Sequence, residues 1–181
     1  MVALVGICGS LRKASLNRAL LQAVADTLPE GTSMRILDGV LDLPIFNSDH
    51  PEPVAVTQLK EAIAAAAGVV FAVPEYNYSI PGGLKNALDW ISRPPPKSPL
   101  RGKPCGLVGA ASGMSGTVRA QAHMRQMLLF SDSPCMNQPE VLIPRAQDRF
   151  DIDGNLTDES TRQLLQRFGL QLAAFVAHNK L

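Results

Sequence analysis

Residues 68–91 of the chain read GVVFAVPEYNYSIPGGLKNALDWI and carry the clearest structural signal in the sequence. Residues 68–73 are continuously apolar and rich in β-branched side chains, which predicts a buried central strand. Residues 81–91 begin with a proline and place apolar side chains every three or four positions, which predicts a helix. The segment therefore predicts a strand, a turn and a helix in succession, the unit from which parallel sheets are built.

The same alternation extends outward in both directions along the chain. Five apolar segments predict strands, at residues 2–7, 34–37, 68–73, 105–110 and 141–143. Five segments with helical spacing predict helices, at residues 16–27, 59–67, 81–91, 117–129 and 157–175, and Ser15 and Thr157 are the expected N-caps of the first and the last. Such alternation implies a parallel sheet with right-handed crossovers. We therefore predict one α/β domain over residues 1–181, a flavodoxin-like three-layer sandwich with the strand order 2-1-3-4-5.

Composition narrows the classes of partner. The 181 residues are 46% hydrophobic and 18% charged, which is typical of a globular domain. A net charge of +1 offers no basic stripe, so we expect no nucleic-acid partner. No apolar run reaches the roughly 18 residues of a membrane span, and the N-terminal positive charges follow the apolar stretch, the reverse of a signal peptide. We therefore expect a cytoplasmic protein that does not bind membranes.

Cysteine and histidine usage argues against disulfides and metal sites. The cysteines, Cys8, Cys105 and Cys135, are odd in number and lack the C-x-x-C spacing, and the histidines are scattered. We expect three inert thiols and no metal. Residues 151–155, DIDGN, resemble the start of a calcium loop, but their glycine is fourth rather than sixth, so we interpret them as a turn.

Loop one, residues 9–17, follows the first predicted strand and reads GSLRKASLN. It offers hydroxyls, an amide, an arginine and backbone N–H groups at a helix start, which together favour an anion site. Four or five charge-assisted hydrogen bonds would supply about 6–15 kcal/mol before ordering costs. The loop lacks the glycine pattern of dinucleotide sites, the G-K-[ST] of nucleoside triphosphatases and the cysteine–arginine spacing of small phosphatases. A capped turn with an exposed Arg12 is the alternative.

Two further loops follow the third and fourth predicted strands, and both should lie at the same sheet edge as loop one. Loop two, residues 74–80, contains both tyrosines of the chain, which suits a planar heterocycle; an ordinary turn with surface tyrosines is the alternative. Loop three, residues 111–117, has little side-chain bulk and lets the backbone approach a ligand, or is simply a flexible turn. We interpret Trp90, in the helix after loop two, as a packing residue.

Three stretches together resemble the NAD(P)H-dependent FMN reductase family, and within it the quinone and chromate reductase-like branch. GSLRKASLN at residues 9–17 is similar to the family's phosphate motif, and PEYNYSIPGGLKNALDWISRP at residues 74–94 is similar to its flavin-ring motif. GKPCGLVGAASGMSGTVRAQAHMRQ at residues 102–126 resembles its fourth strand, loop and helix. The second stretch is long and specific, and the resemblance covers nearly the whole chain.

This resemblance implies an FMN cofactor, with NADPH or NADH as reductant. The FMN-binding residues would come from all three loops: Ser10, Arg12, Ser15, Leu16 and Asn17 at the phosphate, Pro74, Glu75, Tyr76, Asn77 and Tyr78 around the isoalloxazine, and Ser112 and Gly113 on its other side. The expected chemistry is a ping-pong transfer to a small acceptor, such as a quinone, an azo dye, chromate or free flavin, with no catalytic side chain. The resemblance also implies a homodimer or homotetramer. The helix at residues 117–130 is a candidate interface, or equally a core face.

Two other functions remain open at this point. A flavodoxin-type electron carrier would share the fold and the cofactor, although such carriers tend to be strongly acidic and this chain is near neutral. A ligand-binding domain of the same fold that uses no flavin is the second alternative. Reduction by NADPH distinguishes the first from an enzyme, and uptake of FMN by the purified protein distinguishes the second.

Overall fold

The computed structural model describes residues 1–179 and shows an alternating α/β chain. The five strands are β1 (Val2–Cys8), β2 (Thr32–Leu37), β3 (Gly68–Ala72), β4 (Cys105–Ala110) and β5 (Val141–Ile143). The five α-helices are α1 (Leu16–Asp26), α2 (Val54–Ala65), α3 (Gly82–Ile91), α4 (Val118–Phe130) and α5 (Glu159–His178). Short 3₁₀ turns occur at Pro95–Lys97 and Ala146–Asp148.

The sheet has the order β2-β1-β3-β4-β5, and all four neighbouring pairs are parallel. This confirms the predicted flavodoxin-like order. The register brings the carboxyl ends of the strands together, since Ile7 faces Leu37 on one side and Phe71 on the other, and Ala110 faces Ile143. The loops that follow β1, β3 and β4 therefore leave the sheet as neighbours.

Side chains alternate between two apolar cores, one on each face of the sheet. Val5 and Ile7 pack with α2, α3 and α4, whereas Leu4 and Cys8 point to the opposite face and pack with α1 and α5. This two-residue period is the one expected of strands that are covered on both faces. The result is the predicted three-layer sandwich. In residues 1–179, no helix combines the length and the apolar character needed to cross a bilayer.

Several helix ends lie one to three residues from the predicted positions, and the starts of α2 and α5 differ in ways that the structure explains. Helix α2 begins at Val54 rather than at residue 59, because Val56 is fully buried and continues the apolar stripe of Leu59 and Ile63. The cap of α5 is Asp158 and not Thr157, because the Asp158 carboxylate accepts a 2.7 Å hydrogen bond from the Thr161 N–H.

The structure confirms that Trp90 is a packing residue. It is 4% exposed, and its ring meets that of Phe46 edge-on with centroids 4.9 Å apart. Its indole N–H donates to the Pro44 carbonyl at 2.7 Å, and Asn86 in the same helix bonds to the backbone of Phe46, Leu43 and Pro44. These contacts fix the segment that follows β2 against α3.

Candidate functional site

Three loops border one cleft at the carboxyl edge of the sheet, with a volume of about 320 Å³. This volume is at the lower end of the range for small-molecule sites. Its lining comes from loop one, loop two, and loop three with the end of β4: Ser10, Arg12, Ser15, Leu16, Asn17, Pro74, Glu75, Tyr76, Ala110, Ala111, Ser112, Gly113, Ser115 and Gly116. Ten of the twelve residues predicted from the sequence are in this lining. The other two, Asn77 and Tyr78, are not.

The start of α1 forms one end of the cleft. Ser15 is the N-cap predicted from the sequence, and its hydroxyl accepts from the Arg18 N–H at 3.2 Å. Within residues 1–179, no protein acceptor pairs with the backbone N–H groups of Leu16 and Asn17. Free N–H groups at a helix start, together with the partial positive charge there, attract an anion. Arg12 is exposed beside them and supplies a full charge.

Asn17 joins the α1 end of the cleft to the β4 end. Its side chain is buried, and its amide donates to the Ala110 carbonyl at 2.8 Å and accepts from the Ala110 N–H at 3.0 Å. The sequence predicted that Asn17 lies at the phosphate, but it could not show that the side chain bonds to the backbone of Ala110. The same side chain thereby fixes the spacing between loop one and loop three.

Loop two is a tight two-residue hairpin turn. Tyr76 and Ser79 exchange backbone hydrogen bonds of 2.9 Å in both directions, and Asn77 and Tyr78 between them have φ angles of 49° and 65°. Both central residues therefore lie in the left-handed region, which is uncommon for a tyrosine. Tyr76 is part of the cleft lining, whereas Tyr78 lies outside it and is 67% exposed.

Glu75 in loop two forms an ion pair with Arg119 in the first turn of α4. One carboxylate oxygen of Glu75 accepts from the Arg119 Nε at 2.7 Å, and the other accepts from the backbone N–H groups of Arg119 and Ala120 at 3.0 and 3.3 Å. The negative charge of Glu75 is thus balanced within the protein. Sequence reasoning missed Arg119, because neither its spacing nor its neighbours in the chain point to loop two.

Loop three is held in place by the last residue of β5 and by the segment that follows it. The Ala111 N–H donates to the Ile143 carbonyl at 3.0 Å, and the Arg145 N–H donates to the Gly113 carbonyl at 3.0 Å. A Cβ atom at Gly113 would meet no atom within 4 Å, so the loop leaves open space next to this residue. Met114 lies outside the lining and is 68% exposed. The wall of the cleft here is backbone and small side chains, as predicted.

The thiols are not activated groups. Burial raises the pKa of Cys8 and of Cys135, and it raises the pKa of the fully buried Cys105 well above its ordinary value. A thiol with a raised pKa is a weak nucleophile at neutral pH. Within residues 1–179, no three His, Cys, Asp or Glu side chains are grouped to hold a metal ion.

The donor set of the cleft fits FMN. The anion end has free N–H groups and one arginine, which match a phosphate, and the rest of the lining includes a tyrosine and small-residue backbone, which match a flat heterocycle. In the cleft lining the ionisable side chains are Arg12, Glu75 and Tyr76. The Glu75 carboxylate is engaged by Arg119, so it is not a free acid or base.

Comparisons with known proteins agree with this geometry. The sequence profile of a family described as NADPH-dependent FMN reductase matches residues 2–148. The chain is 46% identical over 169 residues to an NAD(P)H-dependent FMN reductase of Pseudomonas aeruginosa, covering 92% of this chain and 90% of that protein. It is 39% identical over 176 residues to a quinone reductase of Escherichia coli, covering 94% and 92% respectively. The solved structure of FerB, a flavoenzyme NAD(P)H:(acceptor) oxidoreductase from Paracoccus denitrificans, covers 100% of both chains with a TM-score of 0.92 and 33% identity.

Proposed function

We propose that this chain, which belongs to the NADPH-dependent FMN reductase family, transfers electrons from NAD(P)H to quinones and related small acceptors by a ping-pong mechanism. Family membership makes the protein an NAD(P)H-dependent oxidoreductase with FMN as its cofactor. The quinone acceptor is supported by the 39% identity to a protein named as a quinone reductase. Azo dyes, chromate and free flavin are further candidates, because an open face of the bound flavin would be permissive toward small acceptors.

The observation that carries the proposal is the convergence of the three loops on one cleft. We propose that Ser10, Arg12 and Ser15, with the N–H groups at the start of α1, hold the FMN phosphate. Two further sets would enclose the ring: Pro74, Glu75 and Tyr76 on the loop two side, shaped by Asn77 and Tyr78, and Ser112 and Gly113 on the loop three side. Leu16 and Asn17 complete the phosphate end. When bound, FMN supplies the redox chemistry, and the protein supplies position and hydrogen bonds.

A single cleft also explains the proposed order of substrates. The reductant and the acceptor would occupy the open side of the same cleft one after the other, so the first must leave before the second enters. The one carboxylate of the lining, Glu75, is engaged by Arg119, which is consistent with chemistry centred on the cofactor. Arg12 would also attract the negatively charged reductant.

Steady-state kinetics test the proposal directly. The initial rate of NAD(P)H oxidation is measured at several fixed concentrations of a benzoquinone, on protein whose bound flavin has been identified. Double-reciprocal plots should give parallel lines; intersecting lines would exclude ping-pong transfer. A flavodoxin-type carrier would bind FMN without oxidising NAD(P)H at a useful rate, and a flavin-free domain would not bind FMN.

We also propose that the protein assembles as a homodimer or homotetramer through α4. The helix has a core face with Ala120, Met124 and Leu128 buried, and it exposes Leu129 by 72% and Phe130 by 61% at its end. Large exposed apolar side chains next to each other favour a protein interface. Sedimentation analysis should show an assembly for the wild type and a smaller species for Leu129→Glu. The cytoplasmic location and the action of residues 1–181 as one FMN-binding domain stay predictions.

A further inference from the structure

We propose that Arg119 is a positioning residue, which holds loop two against α4 in the shape that receives the flavin ring. Arg119 is absent from the cleft lining, so it would act through Glu75, Tyr78 and Ser115 rather than by touching the cofactor. The inference rests on the proposed function, because it assumes that the ring lies between loop two and loop three.

The first contact fixes the start of loop two. The Glu75 side chain is only 8% exposed, and its carboxylate receives the guanidinium of Arg119 as well as two backbone N–H groups of α4. The carboxylate therefore caps the amino end of α4, where the helix dipole favours a negative charge. Glu75 and Arg119 are 44 residues apart in sequence, so the pair connects two separate segments.

The second and third contacts extend from Arg119 to both sides of the cleft. Its guanidinium carbon lies 4.0 Å from the centre of the Tyr78 ring, a cation–π distance. Its terminal nitrogen donates to the Ser115 hydroxyl in loop three at 3.1 Å. One side chain thus contacts both loops that would flank the flavin ring.

The hairpin turn of loop two needs such support. Asn77 and Tyr78 both have positive φ angles, and turns of this kind favour asparagine and glycine rather than tyrosine. The stacked guanidinium holds the second of these residues. One helical turn further along α4, His123 Nδ1 lies 2.9 Å from the Ser79 hydroxyl, so the turn is held at a second point.

Arg119 itself is not part of the core, since its side chain is 44% exposed. Its removal should therefore loosen loop two and leave the packing of the sheet unchanged. Arg125 is a matched control: it lies on the same helix, and its guanidinium bonds to the backbone of Met136 and the side chain of Asn137, outside the cleft lining.

The experiment compares wild type, Arg119→Ala, Arg119→Lys and Arg125→Ala in two measurements. Hydrogen exchange by mass spectrometry on the FMN-free proteins reports on peptides that contain Tyr76 and Ser79, because the N–H group of each donates to the carbonyl of the other. Titration with FMN and with riboflavin gives two dissociation constants, which separate effects on the ring from effects on the phosphate.

We expect the loop two amides of Arg119→Ala to exchange faster than those of the wild type. The substitution should weaken the binding of FMN and of riboflavin by the same factor, about tenfold, or about 1.4 kcal/mol. Arg119→Lys should recover part of this loss, because lysine keeps the charge but not the planar fork. The proposal would be overturned if Arg119→Ala had the same exchange rates in loop two and the same ligand affinities as Arg125→Ala. Should Arg119→Ala fail to fold, Arg119→Lys decides: values equal to the wild type overturn the role, and intermediate values support it.

Failure of the proposed function would look different. A wild-type protein that binds neither FMN nor riboflavin would contradict the FMN site itself. The exchange measurement would still test whether Arg119 holds the turn, because it uses protein without ligand.

Discussion

The side-chain amide of Asn17 is bonded to both backbone groups of Ala110, although the two residues are 93 positions apart in the chain. Asn17 lies in the first turn of α1, and Ala110 is the last residue of β4. Both are buried, so neither bond is exchanged readily for water. The phosphate end and the ring end of the cleft are therefore joined by one side chain.

Replacement of Asn17 by alanine should lower both stability and cofactor affinity. The N–H and C=O groups of Ala110 would lose their partners while buried, which costs about 1–3 kcal/mol in the free energy of unfolding. Urea unfolding of the FMN-free protein measures this loss. FMN affinity should fall as well, because α1 would no longer be held at a fixed distance from loop three.

Two further variants make this prediction specific. Asn17→Asp should lower the affinity for FMN more than Asn17→Ala does. A carboxylate cannot donate to the Ala110 carbonyl, and it adds a negative charge next to the phosphate end. Asn47→Ala is the control, since the Asn47 side chain accepts a hydrogen bond from Asp49 in an exposed turn; the change in stability should stay within about 0.5 kcal/mol. Equal effects at positions 17 and 47 would contradict the joining role.

Arg12→Ala should weaken the binding of FMN more than the binding of riboflavin. A charge-assisted hydrogen bond to phosphate contributes about 1.5–3 kcal/mol, so the FMN dissociation constant should rise roughly tenfold or more. Riboflavin lacks the phosphate, and its affinity should not change. Fluorescence titration with both ligands provides the comparison.

Arg101 is the control for a general effect of charge. It is exposed, and it lies before β4, at the opposite end of that strand from the cleft. Arg101→Ala should leave both affinities unchanged. If Arg12→Ala weakened the two ligands equally, Arg12 would act on the ring or on the loop as a whole, and not on the phosphate.

Much of the fold follows from the pattern of apolar residues. Strands with continuous apolar runs, such as the one around Phe71, have to be covered on both faces, and intervening helices provide that cover. Parallel strands bring their carboxyl ends together, so the position of the three loops in sequence is enough to predict that they meet. The lining of the cleft follows from topology together with motif.

The partners of individual polar side chains could not be predicted in this way. From the sequence, Asn17 is predicted to have a free amide near a helix start. Only the folded chain shows that this amide bonds to Ala110. Glu75 likewise meets Arg119 through a contact between segments 44 residues apart. Such pairings depend on distances between loops, which spacing along the chain does not encode. The cap of α5 depends on tertiary contacts too, because Arg149 reaches the Asp158 carboxylate.

Asp158 should make the stability of the protein depend on acid pH. Hydrogen bonds from the hydroxyl of Ser160 and from the hydroxyl and N–H of Thr161 hold the pKa of Asp158 well below its ordinary value. A carboxyl group with a depressed pKa stabilises the fold above its unfolded pKa of about 3.9. That contribution is lost as the pH falls below this value toward the pKa in the folded protein.

We therefore expect Asp158→Ala to lower the free energy of unfolding by about 1 kcal/mol at neutral pH, the usual cost of a lost N-cap. The difference from wild type should shrink below about pH 4, where the Asp158 carboxyl begins to be protonated in the unfolded chain while it is still ionised in the folded protein. Thermal unfolding at neutral pH and near pH 3 measures both differences. Asp153→Ala, in an exposed turn, is the control and should show neither effect; a difference that grows in acid would contradict the prediction.

Substitutions at two glycines, Gly109 in β4 and Gly113 in loop three, should affect stability and FMN binding separately. A Cβ on Gly109 would stand 1.7 Å from the hydroxyl oxygen of the fully buried Thr117, whereas a Cβ on Gly113 would meet nothing within 4 Å. Gly109→Ala should therefore lower stability by about 1–3 kcal/mol or more through overpacking.

Gly113→Ala should have the opposite profile. Its stability should remain within about 0.5 kcal/mol of wild type, because the added methyl group enters open space. Gly113 lines the cleft, so we expect the methyl group to hinder the approach of the ring to the backbone and to raise the FMN dissociation constant severalfold. Urea unfolding without ligand and FMN titration give the two values for each variant. An unchanged FMN affinity for Gly113→Ala would show that the ring does not lie against loop three, and the position proposed for it would then be wrong.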